Sequence, residues 1–266
     1  MRIFRSFDSL PPLRHPVVTM GSYDGVHTGH RQLLARIVRI AGSIEGESVV
    51  VTFSPHPRRV LNPGSGRFYQ LNSIAEKAML LAGRGIDNLI VAPFNEEFSR
   101  ISPYNFVREY LIGKIGMRTL VVGYNHHFGH NKEGDYDFLS RLQSEFDFEV
   151  YKLPRQEVDD RKVSSTVIRQ LIGEGEMATA ARYLGQPYFA LLHRMTDGTL
   201  HTDSPDKLLP PPGEYRVGVT VWNENAALSS VNQTDTPTAA TFTIAASGKM
   251  ELTPPPHADD FIVTFN

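Results

Sequence analysis

Cysteine is absent from the 266 residues, which excludes disulfides, thiolate-held zinc or iron–sulfur clusters and a thiol nucleophile. Long apolar runs are missing too. No stretch approaches the roughly 18 residues of a membrane helix, and the opening Met1-Arg2-Ile3-Phe4-Arg5-Ser6-Phe7-Asp8 breaks its apolar character with charge every few residues. A soluble, cytoplasmic protein without a membrane partner is expected. The net charge is −2 and there is no Lys/Arg block, so the clustered cations on which phosphate-backbone affinity rests are lacking and no nucleic-acid partner is expected. What is there is ordinary globular composition, 41% hydrophobic and 21% charged, enough to bury a core, in a length that suits about two domains.

From about Pro16 to Pro187 the pattern alternates. The β-branched runs Val17–Thr19, Val49–Phe53, Leu89–Val91 and Leu120–Val122 are separated by stretches with apolar residues at three- and four-residue spacing, Arg31 to Ala41, Ile74 to Ala82, Pro103 to Ile115 and Tyr136 to Glu145. That alternation predicts an α/β domain with a parallel sheet covered by helices, over residues 1–187. Ligands of such sheets bind beyond the strand C-termini. Residues 188–266 read differently: they hold 8 of the 18 prolines and no helical period. Glu214 to Trp222, Thr238 to Ala245 and Asp260 to Phe265 read as strands of a small all-β unit. Charge divides at the same place, with 23 Lys+Arg against 20 Asp+Glu before it and 4 against 9 after it. An acidic module is a poor site for a nucleoside triphosphate.

The strongest chemical signal is Gly21-Ser22-Tyr23-Asp24-Gly25-Val26-His27-Thr28-Gly29-His30, between the first strand and the helix that opens at Arg31. Three glycines let backbone approach a ligand closely, and the helix N-terminus directs unpaired N–H groups and partial positive charge at it. This is a phosphate cradle, though neither a Walker loop nor G-x-G-x-x-G. His27 and His30 can donate to a phosphorus centre as charge develops on it. Capping and metal ligation, with His126, His127 and His130 available, compete with that reading. No Glu lies between the two as in a zincin helix. His127-Phe128-Gly129-His130 repeats the letters without an apolar helix after it. A second signal is Ser164-Ser165-Thr166-Val167-Ile168-Arg169, a hydroxyl-rich helix start with Arg169 on the face of Ser165 and Thr166, which reads as a second anion clamp or as a cap with a solvated arginine.

Those two segments, together with Thr52-Phe53-Ser54-Pro55-His56-Pro57 and Val122-Gly123-Tyr124-Asn125-His126-His127-Phe128-Gly129 with Gly134, resemble in order and spacing the prokaryotic FAD synthetases, over about residues 16–187. The resemblance implies a Rossmann-like H-x-G-H nucleotidylyltransferase domain that transfers AMP from ATP to FMN, with Mg²⁺ accompanying ATP. It implies that His27 and His30 meet the ATP phosphates, with Gly21, Tyr23, Asp24, Gly25 and Gly29 in the turn and Ser164, Ser165, Thr166 and Arg169 at the triphosphate. It places Phe53, Pro55, His56, Asn125 and Phe128 on the flavin side. Metal ligands are not assigned, though Asp24 is placed to assist a metal or to stabilise the turn. Ser54 departs from the family's acidic residue and His126 from its aromatic one. In bifunctional members a C-terminal barrel is a riboflavin kinase. Leu209-Pro210-Pro211-Pro212-Gly213-Glu214-Tyr215 resembles that kinase's turn, but the G-x-P-T-A-N element upstream is missing, and Thr236-Pro237-Thr238-Ala239-Ala240 lies on the wrong side of it. Glu251 lies near the position of the kinase carboxylate. A shortened, kinase-deficient β unit is expected, retained for self-association or a protein contact. Two other readings stand beside this one: the same fold serving another phosphorylated acceptor, and a flavin- or nucleotide-binding regulatory protein without turnover.

Overall fold

The computed structural model describes residues 1–64, 66–154, 157–158, 161–222 and 237–265. In chain order its first part holds β1 (Arg2–Phe4), β2 (Val17–Met20), α1 (Thr28–Ser43), β3 (Ser48–Ser54), α2 (Pro57–Leu61), α3 (Ile74–Ala82), β4 (Asn88–Pro93), α4 (Glu96–Ser99), α5 (Pro103–Asn105), β5 (Thr119–Val122), α6 (Tyr136–Phe146) and β6 (Glu149–Lys152). Its second part holds β7 (Glu157–Val158), β8 (Arg161–Lys162), α7 (Ser165–Gly173), α8 (Met177–Leu184), β9 (Phe189–Arg194), β10 (Leu200–Thr202), β11 (Gly213–Val221), β12 (Thr238–Ile244), β13 (Met250–Thr253) and β14 (Asp260–Phe265). The chain gathers into two units. One comprises Met1–Tyr23, Gly29–Phe68 and Arg84–Gln156, the other Asp24–Thr28, Tyr69–Gly83 and Glu157–Asn266.

In the first unit six strands lie in the order β1-β4-β3-β2-β5-β6, every neighbouring pair parallel. The four expected strands form its middle. Val18, Val49, Val51 and Leu120 share one core with Val107 and Leu111, while Val17, Val50 and Val121, alternate with them along the strands, are equally buried. Residues buried on both faces explain why these runs read as continuous β-branched stretches. The chain steps from β2 through β3 to β4 in one direction, then places β5 on the opposite side of β2. That reversal leaves a crevice outside the carboxyl ends of β2 and β5. The helix expected at Pro103–Ile115 is α5 followed by a π-helical stretch over Phe106–Lys114. There the Ile115 amide donates to the Tyr110 carbonyl five residues back, at 3.0 Å.

In the second unit six antiparallel strands run β10-β9-β14-β11-β12-β13. Its edge strands β10 and β13 meet, so the sheet curls towards a barrel. All three expected strands are present, and β9, β10 and β13 join them. The Tyr215 hydroxyl donates to the Pro211 carbonyl at 2.6 Å and locks the proline-rich turn. The change of texture at residue 187 falls inside this unit, because Ile168, Ile172 and Tyr183 of α7 and α8 share one core with Phe242, Phe261 and Phe265. Among the described residues no helix is long and apolar enough to cross a membrane.

Candidate active site

The Gly21 amide donates to the Val51 carbonyl at 3.0 Å, carrying the ladder one residue past β2. The chain then turns through three left-handed residues, with φ 46° at Tyr23, 87° at Gly25 and 41° at Val26. For β-branched Val26 this conformation costs about 1–3 kcal/mol and persists only where the surroundings over-determine it. A Cβ at Gly25 would sit 2.7 Å from Leu71 and 3.2 Å from Leu184. The space that Gly25 opens is therefore filled by the protein's own leucines. Helix α1 begins at Thr28, so its first amides lack intrahelical acceptors, and no acidic residue in the first turn neutralises its positive end.

His27 is 7% exposed. Burial lowers its pKa to about 4 despite the carboxylate of Asp24, which acts the other way. Near pH 7 the ring is therefore neutral, one nitrogen donating and the other accepting. His30 is half-buried, its ring 5.1 Å from that of Tyr23. Tyr23 faces inward: Thr19 donates to the Val121 carbonyl at 2.8 Å, which leaves the Tyr23 hydroxyl to donate to Thr19 at 2.6 Å. Burial pushes that phenol's pKa up.

Asp24 is held from four directions. Its Oδ1 accepts from the amides of Leu71 (2.8 Å) and Asn72 (3.2 Å), its Oδ2 pairs with Arg169 at 2.8 Å, and its carbonyl accepts from the Ser165 hydroxyl at 2.8 Å. Thr28 adds a bond from its hydroxyl to the Tyr183 carbonyl at 3.1 Å. Ser164 caps α7, accepting from the Val167 amide at 3.4 Å, and Thr166 is exposed. The hydroxyl-rich and glycine-rich segments meet at Asp24. They meet by Ser165 and Arg169 gripping the turn itself, so part of the hydrogen-bonding capacity assigned to a triphosphate is committed to Asp24.

Of the flavin-side candidates, Phe53 lies near the end of β3, Pro55 and His56 follow that strand, and Asn125 and Phe128 follow β5. Phe53 packs with Phe94 and Phe98 at 5.6 and 6.0 Å between ring centres. His56 caps α2 through Nδ1, which accepts from the Arg58 amide at 3.2 Å, and its ring lies 4.6 Å from that of Phe68. Phe128 packs with Phe106 at 6.0 Å and with His126 at 5.7 Å. It also explains Gly134, where a Cβ would fall 2.6 Å from the Phe128 ring. Pro55 and Asn125 are exposed. Among the described residues no group of three or more His, Asp or Glu is disposed to hold a metal ion. In the β sheet, Glu251 is on the surface, paired with Lys249 at 2.7 Å. Thr238 opens β12, and Thr236 lies outside the described residues.

Sequence reasoning passed over Glu76 and Lys207, which form a fully buried ion pair at 2.7 Å. The signal for Glu76 was present: Ser73-Ile74-Ala75-Glu76 is a capping box, and the structure forms it. Nothing marks Lys207 among the polar turn residues around it.

A doubly wound sheet with a glycine turn and a helix N-terminus at its switch point defines a nucleotide-binding α/β protein. The FAD synthetase family matches residues 11–167. The chain belongs to that family. It is 31% identical to a bifunctional riboflavin kinase/FMN adenylyltransferase of Pseudomonas fluorescens, covering 83% of this chain and 74% of that one. It is 32% identical to a protein named FAD synthetase from Listeria monocytogenes, covering 79% and 84%. The fold is similar to a solved structure titled as a macrolide-efflux protein from Streptococcus pneumoniae, with a TM-score of 0.79 at 22% identity over 99% of this chain and 88% of that one.

Proposed function

We propose that the chain transfers AMP from ATP to FMN, releasing pyrophosphate and FAD, and that it does not phosphorylate riboflavin. The observation that carries the transfer is the strained glycine turn at the switch point, leading into a helix whose first turn holds no acid. The FMN phosphate is largely ionised near neutral pH, so it attacks the α-phosphorus without a general base, and catalysis reduces to positioning and charge stabilisation. His27 and His30 donate to the oxygens on which charge grows, and the first amides of α1 receive the phosphate chain. Mg²⁺ would neutralise charge on the triphosphate and enter with it. The absence of kinase activity is supported by the missing G-x-P-T-A-N element and by the acidic balance of residues 188–266, 4 Lys+Arg against 9 Asp+Glu. The cytosol supplies both substrates.

Incubation with ATP, Mg²⁺ and either FMN or riboflavin, with separation of the flavins and measurement of pyrophosphate, tests both halves. FAD and pyrophosphate are expected from FMN and no new flavin from riboflavin. Turnover only with another phosphorylated acceptor, or FMN formed from riboflavin at catalytic rates, overturns the corresponding half.

A further inference from the structure

The residues Asp24–Thr28 belong to the same compact unit as the antiparallel sheet, and the contacts responsible form a continuous path. Leu71 is gripped at both ends of its backbone: its amide donates to Asp24, its carbonyl accepts from Lys207 Nζ at 2.7 Å, and the Tyr188 hydroxyl shares its one proton between that carbonyl at 3.0 Å and the Leu208 carbonyl at 2.7 Å. Its side chain fills the space beside Gly25. Lys207 spends its other two donors on Glu76 at 2.7 Å and on the Phe189 carbonyl at 2.6 Å, so the ammonium is fully satisfied. Glu76 in turn accepts from the Leu191 amide at 2.8 Å and the Ser73 amide at 3.0 Å. Both charged groups are completely buried. An ion pair so placed gives little net stability relative to apolar packing, and its best-attested use is to fix one arrangement. Here the thing fixed is a segment that sits against a strained turn.

We propose that Glu76 and Lys207 are positioning residues for adenylyl transfer: acting through Leu71, they hold Asp24 and Gly25, and so set His27, all within one compact unit, which gives the small β sheet a part in placing the glycine turn. This rests on the adenylyltransferase reading. It gives the sheet a reason to be retained where its own kinase chemistry is gone.

The test uses the full chain with two variants, Glu76→Gln/Lys207→Met, which removes both buried charges together, and Tyr188→Phe, which deletes one hydroxyl. Two readouts are taken: amide exchange at residues 24–28 and 71, and steady-state constants for ATP and FMN. The double variant is expected to exchange faster at those amides and to raise the KM for ATP about tenfold while that for FMN stays within about twofold. Tyr188→Phe should do the same more weakly. A folded double variant with wild-type exchange and wild-type constants overturns the proposal, as does an equal rise for both substrates. If the double variant fails to fold, Tyr188→Phe decides by the same criteria. Should wild-type protein turn over no FMN, the adenylyltransferase reading fails, and the exchange measurement still decides the positioning claim.

Discussion

The molecule carries the letters H-x-G-H twice, and the two copies have different fates. His27-Thr28-Gly29-His30 runs into the sixteen-residue helix α1, and His27 is buried and neutral. In His127-Phe128-Gly129-His130 the glycine adopts φ 73° against Pro103, where a Cβ would fall 2.6 Å away. That copy runs only into a three-residue 3₁₀ helix with Asn131 left-handed inside it. His130 there is exposed and its ring lies 3.3 Å from the Ser99 carbonyl. The first copy opens a helix N-terminus; the second is a reverse turn that returns the chain to pair Phe128 with Gly134. Motif letters acquire chemistry from the element they open.

The most direct way to break this comparison is to remove the imidazoles in both copies. His27→Ala and His30→Ala should each lower turnover by about 10²- to 10³-fold, the usual effect of deleting one transition-state donor. His127→Ala and His130→Ala should stay within about threefold of wild type, because their segment presents no helix N-terminus. Steady-state rates on purified, folded variants give the answer, and equal losses in both copies would erase the distinction.

The next largest effect belongs to Arg169. It pairs with an Asp24 that is 2% exposed, its own side chain 16% exposed, so Arg169→Ala leaves a buried carboxylate uncompensated and should cost roughly 2–3 kcal/mol of stability. ATP binding should weaken more than FMN binding, because the strained turn loses one of its anchors. Adding Asp24→Asn should restore much of the stability. Thermal melts and separate ATP and FMN titrations check this, and an effect confined to FMN would contradict the assigned geometry.

The two glycines sharpen the comparison further. Gly25→Ala and Gly129→Ala both place a Cβ within 2.7 Å of a neighbour at a left-handed φ, and each should cost about 2 kcal/mol from strain and overpacking. Only Gly25→Ala should also raise the KM for ATP, since only its neighbours Leu71 and Leu184 shape the turn before α1. Denaturant midpoints alongside ATP kinetics separate the shared cost from the specific one.

Much of this was legible in the sequence, for identifiable reasons. Strands β2 to β5 are buried on both faces, which writes them as β-branched runs, and the glycine turn announces itself by lying between one of them and an amphipathic helix. The helices α3 and α6 match their apolar periods almost to the residue. The edge strands β1 and β6 were not legible, because each is short and partly exposed and carries little pattern. Arg169 illustrates the harder limit. Its spacing from Ser165 correctly put both on one face of α7, but the choice between a ligand and Asp24 as the partner depends on residues 145 positions apart. Glu76 and Lys207, 131 positions apart, are invisible for the same reason: pairing across such separations is a property of the fold.

The smallest expected effect concerns protons and distinguishes the two copies in a different way. Burial holds His27 at a pKa of about 4, below the ordinary 6.5. The folded state therefore keeps this ring neutral at pH values where the unfolded chain protonates it. Between those two values the unfolded state binds more protons, so stability rises with pH; it falls as pH drops below about 6.5 and levels off near 4. Down to pH 5.5 the loss from this one ring is about 1 kcal/mol. His126, held at about 4 by burial and by the neighbouring His127, should add a second slope of the same sign from the other copy's surroundings. His27→Gln should flatten the pH dependence of the denaturant midpoint by about one proton between pH 6.5 and 5, and His126→Gln should flatten it by another, while activity near pH 7 falls steeply only in the first. If His27→Gln left the pH slope of stability unchanged, the ring would titrate in the folded protein as it does in the unfolded chain, and burial would not be what keeps it neutral at the glycine turn.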